Sequence, residues 1–349
     1  MNRWPPFHYD EACDSLNGSF LGLNGTRRTL MPHVLVVILN WNSAEETRAA
    51  LASVLAMDYS NLSVVIIDNG STDDSLGILR QLVRDHVELV VSGENLGYTG
   101  GCNLGFDLAL CNEADYVWLL NPDAVTEPHT LTSLITIAEN DSSIGLLSPA
   151  IVSLHDPQER VYLLGKVDLQ EPSYQITKDP QTAQRWIATV PDQLALLGTA
   201  LLVRVSLIRK IGGFDPTFFA YWEDTDLSVR THQAGFRVAV DLNSVVRHTE
   251  KFAKDDPHTI KPHYWYYMAR NEIRFWKKHS SRFRLLKALW WHYTKQLTYL
   301  KLLKENPTSC QAILAGLWNG WRGRTGPYNE RLNMPALAAA VVRKHSEWY

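Results

Sequence analysis

From Pro32 onward, short aliphatic runs alternate with longer segments whose apolar positions recur every three or four residues. "HVLVVILN" is a β-branched run without polar interruption, the pattern of a strand buried on both faces. "SAEETRAALASVLAM" predicts a helix: Ser43 and Glu46 have capping-box spacing, and Leu51, Val54 and Leu55 share a face. "LSVVIID" predicts a second strand. "TDDSLGILRQLVRDH" predicts a helix with acids in its first turn, and "VELVVS" a third strand. "GGCNLGFDLALC" reads as a third helix and "YVWLL" as a fourth strand. Pro128 opens a further helix through Ile137, and "IGLLSPAIV" is another strand. The rhythm lapses over 153–193, which read as loops and short strands. "LALLGTALLVR" then resumes as a strand, and "VSLIRKIGGF" as a short helix stopped at Gly212 and Gly213. "EDTDLSVRTHQAGF" is a helix closed by Gly235, and "RVAVDLNSVVRH" a strand.

Strands and helices alternating at these lengths predict an α/β fold, a mostly parallel sheet covered on both faces. Ligands of such sheets sit beyond the carboxyl ends of the strands. Polar residues gather at those ends: Asn40 and Asn42 after the first strand, Asp68 at the end of the second, Asn95 after the third, Asp123 after the fourth. One polar strand end is unremarkable; four point to a shared crevice.

Composition adds limits. The 349 residues, 45% hydrophobic and 20% charged, are those of a packed chain. A net charge of −3 carries no nucleic-acid signature. The four cysteines (Cys13, Cys102, Cys111, Cys310) form no CxxC pair, which reads as reduced thiols in a cytosolic protein. No apolar run approaches the roughly 18 residues of a membrane span. The N-terminus lacks the basic-then-apolar order of a secretion signal. Residues 1–30, rich in Asn, Gly and Pro, read as a dispensable extension ahead of a domain over 31–257. From 258 to 349 the chain turns helical, aromatic and basic: Lys261–Lys304 holds eleven Lys and Arg against one acid, Glu272. With Trp265, Trp276, Trp290 and Trp291, that segment fits either docking on an anionic membrane surface or a core-packing helix pair with a solvated basic face.

Several familiar chemistries are missing. No GxxxxGK[ST], GxSxG or HExxH occurs, and "GENLGYTGGCNLG" is not the GxGxxG of a dinucleotide site. The acids carry the remaining chemistry. Asp68 in "VVIIDNGSTDDS" suits a base imide or a ribose hydroxyl, and equally an Asx turn. Asp123 in "LLNPDAV" suits Mg²⁺ or Mn²⁺ against a diphosphate, and equally a Pro-Asp turn. Glu223, Asp224 and Asp226 follow the aromatic "FFAYW". They fit a carboxylate beside a dry pocket, or simply first-turn acids.

In order, "VLVVILNWN", "VVIIDNGSTDDS", "ENLGYTGGCNLG", "YVWLLNPDAV", "GTALLVRVSLIRKIGGFDPTFFAYWEDTDLSVRTHQAGF" and "VVRHTE" resemble glycosyltransferase family 2, over about Val34 to His248. The later "YYMARNEIRFWKKH" and "GLWNGWRGRTG" resemble bacterial rhamnosyltransferases within it. The resemblance implies the GT-A fold, a Rossmann-like central sheet, here with a C-terminal helical extension. It implies that Leu39, Asn40, Asn42 and Asp68 hold the nucleoside, and that Asn95, Gly97, Gly101 and Asn103 line the nucleotide-sugar pocket. Asp123 then stands at the metal-ligating acid of the DxD position, whose first acid is here Asn121, leaving fewer protein carboxylates for the metal. His248 matches a position where some members supply a further ligand, and a structural histidine fits it as well. Asp224 matches the general base, with Glu223 beside it.

The implied reaction is inverting transfer of a sugar to a saccharide or lipid-linked saccharide in cell-surface polysaccharide synthesis, with Mg²⁺ or Mn²⁺. The donor is dTDP-rhamnose or, with the same visible residues, UDP-galactofuranose or another UDP-sugar. The implied location is the cytoplasm, peripheral on the inner face of the membrane, and a homodimer through the C-terminal helices is compatible. Two other classes compete. A nucleotidyltransferase would want a glycine-rich basic triphosphate loop that "LNWNSAEETR" does not supply. A non-catalytic carbohydrate- or nucleotide-sugar-binding protein is left open by the absent first metal acid.

Overall fold

The structure, a computed structural model, describes residues 31–156, 159–249 and 257–329. The expectation for residues 1–30, and that for the helical region beyond 329, lie outside the described residues.

The chain runs β1 (Val34–Asn40), α1 (Ala44–Leu55), β2 (Leu62–Asp68), α2 (Ser75–Arg80), β3 (Val87–Val91), α3 (Gly97–Cys111) and β4 (Tyr116–Leu120). It continues through β5 (Ala124–Thr126), α4 (Thr130–Asn140), β6 (Ile144–Ser153), β7 (Arg160–Tyr162), β8 (Leu164–Asp168), β9 (Ser173–Thr177) and α5 (Pro180–Thr189). Then come β10 (Leu194–Ala195), β11 (Ala200–Arg204), α6 (Val205–Ile211), α7 (Glu223–Gln233) and β12 (Arg237–His248). Three helices follow: α8 (Pro262–His279), α9 (Arg282–Leu302) and α10 (Pro307–Arg322).

β1 shows why the sheet is buried on both faces. Its alternate residues serve two cores, as period-two side chains must. Val34, Val36 and Ile38 pack with Leu51 and Val54 of α1 and Leu131 and Leu134 of α4. Leu35, Val37 and Leu39 pack with Cys102 and Phe106 of α3 and Leu227 of α7. Full burial of each such side chain contributes about 1.5–3 kcal/mol. The sheet order is β3-β2-β1-β4-β11-β6-β12-β5, with β7 on β6. Strands β3, β2, β1 and β4 are parallel. β11 enters antiparallel between β4 and β6, and β12 runs parallel to β6. The carboxyl ends of β1, β2, β4 and β12 therefore share one edge. A small antiparallel sheet, β10-β8-β9, stands apart.

Several local expectations fail. Ser43 makes no capping bond; its hydroxyl turns back to the Trp41 carbonyl at 3.3 Å. The second helix stops at Arg80, because Arg84 and Val87 close a turn through His86 at φ +63°. α4 starts at Thr130 rather than Pro128, after a turn in which Thr130 N–H donates to Glu127 O. The stretch expected to hold only loops and strands contains α5, capped by the Asp179 carboxylate on Thr182 N–H at 2.8 Å. "LALLGTALLVR" is two strands broken at 196–199. Cys102 and Cys310 are free thiols, whereas Cys111, half-buried at the end of α3, is disulfide-bonded, against the expectation of reduced thiols throughout. The basic aromatic segment divides between its two readings: Trp265 and Trp276 are core residues, while Trp290 and Trp291 are exposed.

Candidate active site

At the carboxyl edge, the register sets Asn40 beside Asp68. Both are buried. The Asn40 amide donates to Asp68 Oδ1 (2.9 Å) and Ser71 Oγ (3.0 Å) and accepts from Thr47 Oγ1 (2.8 Å). Asp68 also accepts from Ser71 Oγ (2.5 Å) and Ser71 N–H (3.3 Å). Asn40 thus fixes the rotamer of Asp68. Asn42, left-handed at φ +52°, pins the next turn: its Oδ1 accepts from Thr72 N–H at 2.8 Å. Asn69 was not singled out from sequence, although it adjoins Asp68. Its amide donates to Gly97 O (3.0 Å), and its oxygen accepts from Leu96 N–H (3.1 Å). Asn95 Oδ1 accepts from Gly97 N–H at 2.8 Å. Gly97, at φ +74°, starts α3 against Phe219: a Cβ there would meet the Phe219 carbonyl oxygen at 2.4 Å, so only glycine fits.

The turn after β4 joins this edge to the rest. Asn121 N–H donates to Thr199 O at 2.9 Å, and Ala124 N–H to Asn121 O at 3.2 Å. β5 then pairs with β12, setting Ala124 opposite His248. His248 Nε2 lies 3.1 Å from Asp123 Oδ1, and Asp123 is buried. Adjacent ligands of an octahedral ion with bonds of about 2.1 Å stand about 3 Å apart, so this pair fits two neighbouring positions around a divalent cation. Among the described residues no cluster of three or more His, Cys, Asp or Glu is placed to hold a metal. Further ligands would fall to phosphate oxygens and water, as is usual for Mg²⁺ at a diphosphate.

The acidic helix begins in strained backbone. Phe219 (φ +67°), Tyr221 (φ +68°) and Trp222 (φ +75°) are all left-handed without being glycine. Each such residue costs on the order of 1–3 kcal/mol and persists only where its surroundings over-determine it. Phe219 (ψ −56°) centres a γ-turn closed by Ala220 N–H on Phe218 O at 2.8 Å. Asp224 Oδ2 accepts from Gly198 N–H (3.0 Å), and its Oδ1 from Thr225 N–H (2.6 Å) and Thr225 Oγ1 (3.2 Å). Burial raises the Asp224 carboxyl above its ordinary range, and the backbone donors oppose that rise. Glu223 is raised further, by burial and by the Asp224 charge, and its Oε2 has no hydrogen-bond partner. The first proton therefore leaves Asp224, whose charged form is the hydrogen-bonded one. Asp226 is different in kind. Burial alone would raise it, yet His279 (2.7 Å), Arg230 (2.7 Å) and Lys278 (2.8 Å) hold it well below the carboxylate range.

These groups are connected. Gly198 N–H donates to the Asp224 carboxylate, and the next residue's carbonyl accepts from Asn121 N–H, so residues 198–199 join the acidic helix to the Asp123 turn. Thr99 N–H donates to Phe219 O at 3.1 Å, which joins the acidic segment to the glycine-rich start of α3. Tyr98 OH donates to Gly198 O at 2.6 Å. Three implied residues sit deeper. A Cβ at Gly101 would strike the Leu39 side chain, so those two pack on each other. Asn103 spends its amide on the backbone of Phe214, donating at 2.9 Å and accepting at 2.8 Å.

A mostly parallel central sheet flanked by helices, with a C-terminal helical region, is the architecture of GT-A glycosyltransferases. A mannosyltransferase from Pyrobaculum calidifontis, solved with GDP-Man and Mn²⁺, shares it with a TM-score of 0.52 at 17% identity, over 98% of this chain and 87% of that one. Residues 35–186 match the model of glycosyl transferase family 2. The N-acetylglucosaminyl-diphospho-decaprenol L-rhamnosyltransferase of Mycobacterium tuberculosis is 30% identical over 243 residues, 64% of this chain and 78% of that protein. Rhamnosyltransferase WbbL of Escherichia coli K12 is 27% identical over 226 residues, 59% of this chain and 79% of that protein. The chain belongs to glycosyl transferase family 2, and it is a glycosyltransferase.

Proposed function

We propose that the enzyme is an inverting transferase. It would move a sugar, L-rhamnose from dTDP-rhamnose, to a hydroxyl of a saccharide or lipid-linked saccharide during cell-surface polysaccharide synthesis. The observation that carries the reading is the backbone bridge from Asp224 through Gly198 and Thr199 to Asn121, which couples a buried carboxylate to the Asp123 turn. The rhamnosyl donor rests on the two rhamnosyltransferase relatives; a UDP-sugar such as UDP-galactofuranose is the alternative.

In this reading Asp68, held by Asn40 and Ser71, receives the nucleoside, and Asn95 and Gly97 border the sugar pocket. Asp123 and His248 would hold Mg²⁺ or Mn²⁺, whose chemistry there is neutralisation of the departing diphosphate. Asp224 takes the proton of the acceptor hydroxyl as that oxygen attacks the anomeric carbon from the face opposite the diphosphate. A single displacement inverts the centre. Asp224→Asn keeps shape and removes the base. Turnover should fall by about 10²–10⁴-fold, with dTDP or UDP binding nearly unchanged by calorimetry; near-normal turnover refutes the assignment. Release of dTDP, UDP or GDP from a panel of the corresponding nucleotide-sugars, with and without Mn²⁺, fixes the donor. It also separates this reading from a non-catalytic binding protein.

The proposed location is cytoplasmic, peripheral on the inner face of the membrane. Among the described residues no helix is long and apolar enough to cross a membrane. α9, however, leaves a stripe in water: Phe283 is 90% exposed and Trp290 61%, with Leu286 and Leu297 on the same face. Exposed Arg282, Arg284, Lys301 and Lys304 accompany it. An apolar face with basic residues fits an anionic bilayer, each basic residue adding about 1 kcal/mol near the surface. Flotation with phosphatidylglycerol vesicles should recover the protein at low salt, phosphatidylcholine vesicles should not, and Phe283→Ser/Trp290→Ser should abolish recovery. Absence of binding at low salt sinks the idea. So does binding that appears only when residues 330–349 are removed, since those residues would then be the occupant of the face.

A further inference from the structure

Two neighbouring residues of α8 are buried deep beneath the acidic helix, about fifty positions away in sequence. Arg270 and Asn271 are fully buried. The Asn271 amide donates to three carbonyl oxygens: Phe218 at 3.0 Å, Ala220 at 2.7 Å and Tyr221 at 2.8 Å. The Arg270 guanidinium donates to Phe218 O at 2.6 Å, to Gly326 O at 2.7 Å and to Asn271 Oδ1 at 2.8 Å, which fixes the asparagine's orientation. The rings of Tyr266 and Tyr267 also lie beside it, centred 5.2 and 4.9 Å away. None of these partners is a carboxylate. A buried cation with only neutral partners is costly, and here its donors go to the carbonyl groups that left-handed backbone exposes. Phe219 is further held by its ring stacked on Tyr267 at 5.5 Å, and Trp222 by its ring against Phe275 at 5.0 Å.

We infer that Arg270 and Asn271 are positioning residues for glycosyl transfer: they lock the left-handed segment Phe219–Trp222 and thereby fix where Asp224 stands. The inference rests on the reading of Asp224 as the base. It gives α8 a part in setting the base through two fully buried side chains. Misplacement of a reacting group by about 1 Å costs on the order of 10²-fold in rate, which sets the expected size of the effect.

The test uses the full chain. Asn271→Asp is nearly isosteric and replaces the donor by an acceptor facing three carbonyl oxygens; Arg270→Lys keeps the charge and loses the fork. With the donor that the wild type accepts, Asn271→Asp should lower kcat by about 10²-fold, and Arg270→Lys by less. Binding of dTDP or UDP by calorimetry should stay within about twofold, since the nucleoside side at Asp68 is untouched. The acid limb of the kcat–pH profile should also move, as Asp224 loses its fixed surroundings. An unchanged kcat in folded variants overturns the inference, as does a parallel fall in kcat and nucleotide affinity. A second arm needs no activity. In wild-type hydrogen exchange the Ala220 amide should be as protected as those of β1, and Asn271→Ala should lose that protection selectively. Equal exchange at Ala220 in both proteins overturns the inference. A wild type inactive on every donor, with Ala220 still protected through Asn271, would sink the transferase reading and leave the clamp standing.

Discussion

Asp224 and Glu223 are adjacent carboxyls in one dry place, and their surroundings push them apart. Both are raised by burial, but only Asp224 has backbone donors that favour its ionised form. A base in such a state gives a rate that climbs with pH through a midpoint above the ordinary aspartate value. The same shift has a stability consequence of opposite appearance. A carboxyl whose folded pKa is raised contributes stability fully present below its unfolded pKa, and loses it as pH rises through the folded value. Glu223→Gln should therefore melt higher than wild type in alkaline buffer, with the difference vanishing in acid. A constant offset across pH would show that folding leaves the Glu223 pKa where it is in the unfolded chain. The charges themselves were readable in "WEDTD"; their divergence was not. It depends on Gly198 N–H reaching Asp224 across a break in what reads as one continuous strand.

At the scale of elements, β1, β2 and β4 were legible because a run of aliphatic residues with no polar interruption has few alternatives to a buried strand. α5 was not, since Ala183 and Trp186 are its only buried residues and its clearest signal was the Asp179 cap. The left-handed residues before α7 were invisible for a deeper reason. Phe, Tyr and Trp disfavour that conformation, and the groups that impose it lie on α8. Asn271 was in view within "YYMARNEIRF", yet nothing local says that its partners are Phe218 to Tyr221. The join between α7 and α8 has a second component, Asp226 with His279 and Lys278. Removing one member of a buried ion cluster leaves the others uncompensated, at about 3–5 kcal/mol. Asp226→Asn should lower stability by that amount at neutral pH in denaturant unfolding. Asp226's folded pKa is depressed, so its contribution is present above the unfolded pKa and lost as pH falls through the folded one. The deficit should therefore shrink in acid.

Across the whole molecule, sheet and C-terminal helices meet along Phe218–Trp222, through the Asp226 cluster and in an apolar patch that joins Val167 and Val229 to Phe275 and Trp276. A boundary near 257 follows the change in composition. Packing crosses that position, from α8 through Phe218–Trp222 to the edge of the sheet. That arrangement bears on how the two reactants arrive. Gly97, at the mouth of the proposed donor pocket, lies against the ring and carbonyl of Phe219, and Thr99 holds the same carbonyl. The sugar that settles against the glycine-rich turn, unlike the nucleoside at Asp68, presses on the hinge that carries the base. Occupancy on one side should accordingly be sensed on the other. Initial-rate kinetics should show compulsory order, nucleotide-sugar first and acceptor second, with the free nucleoside diphosphate competing against the donor alone. Random addition, each partner binding with indifference to the other, would mean that the shared hinge is mute.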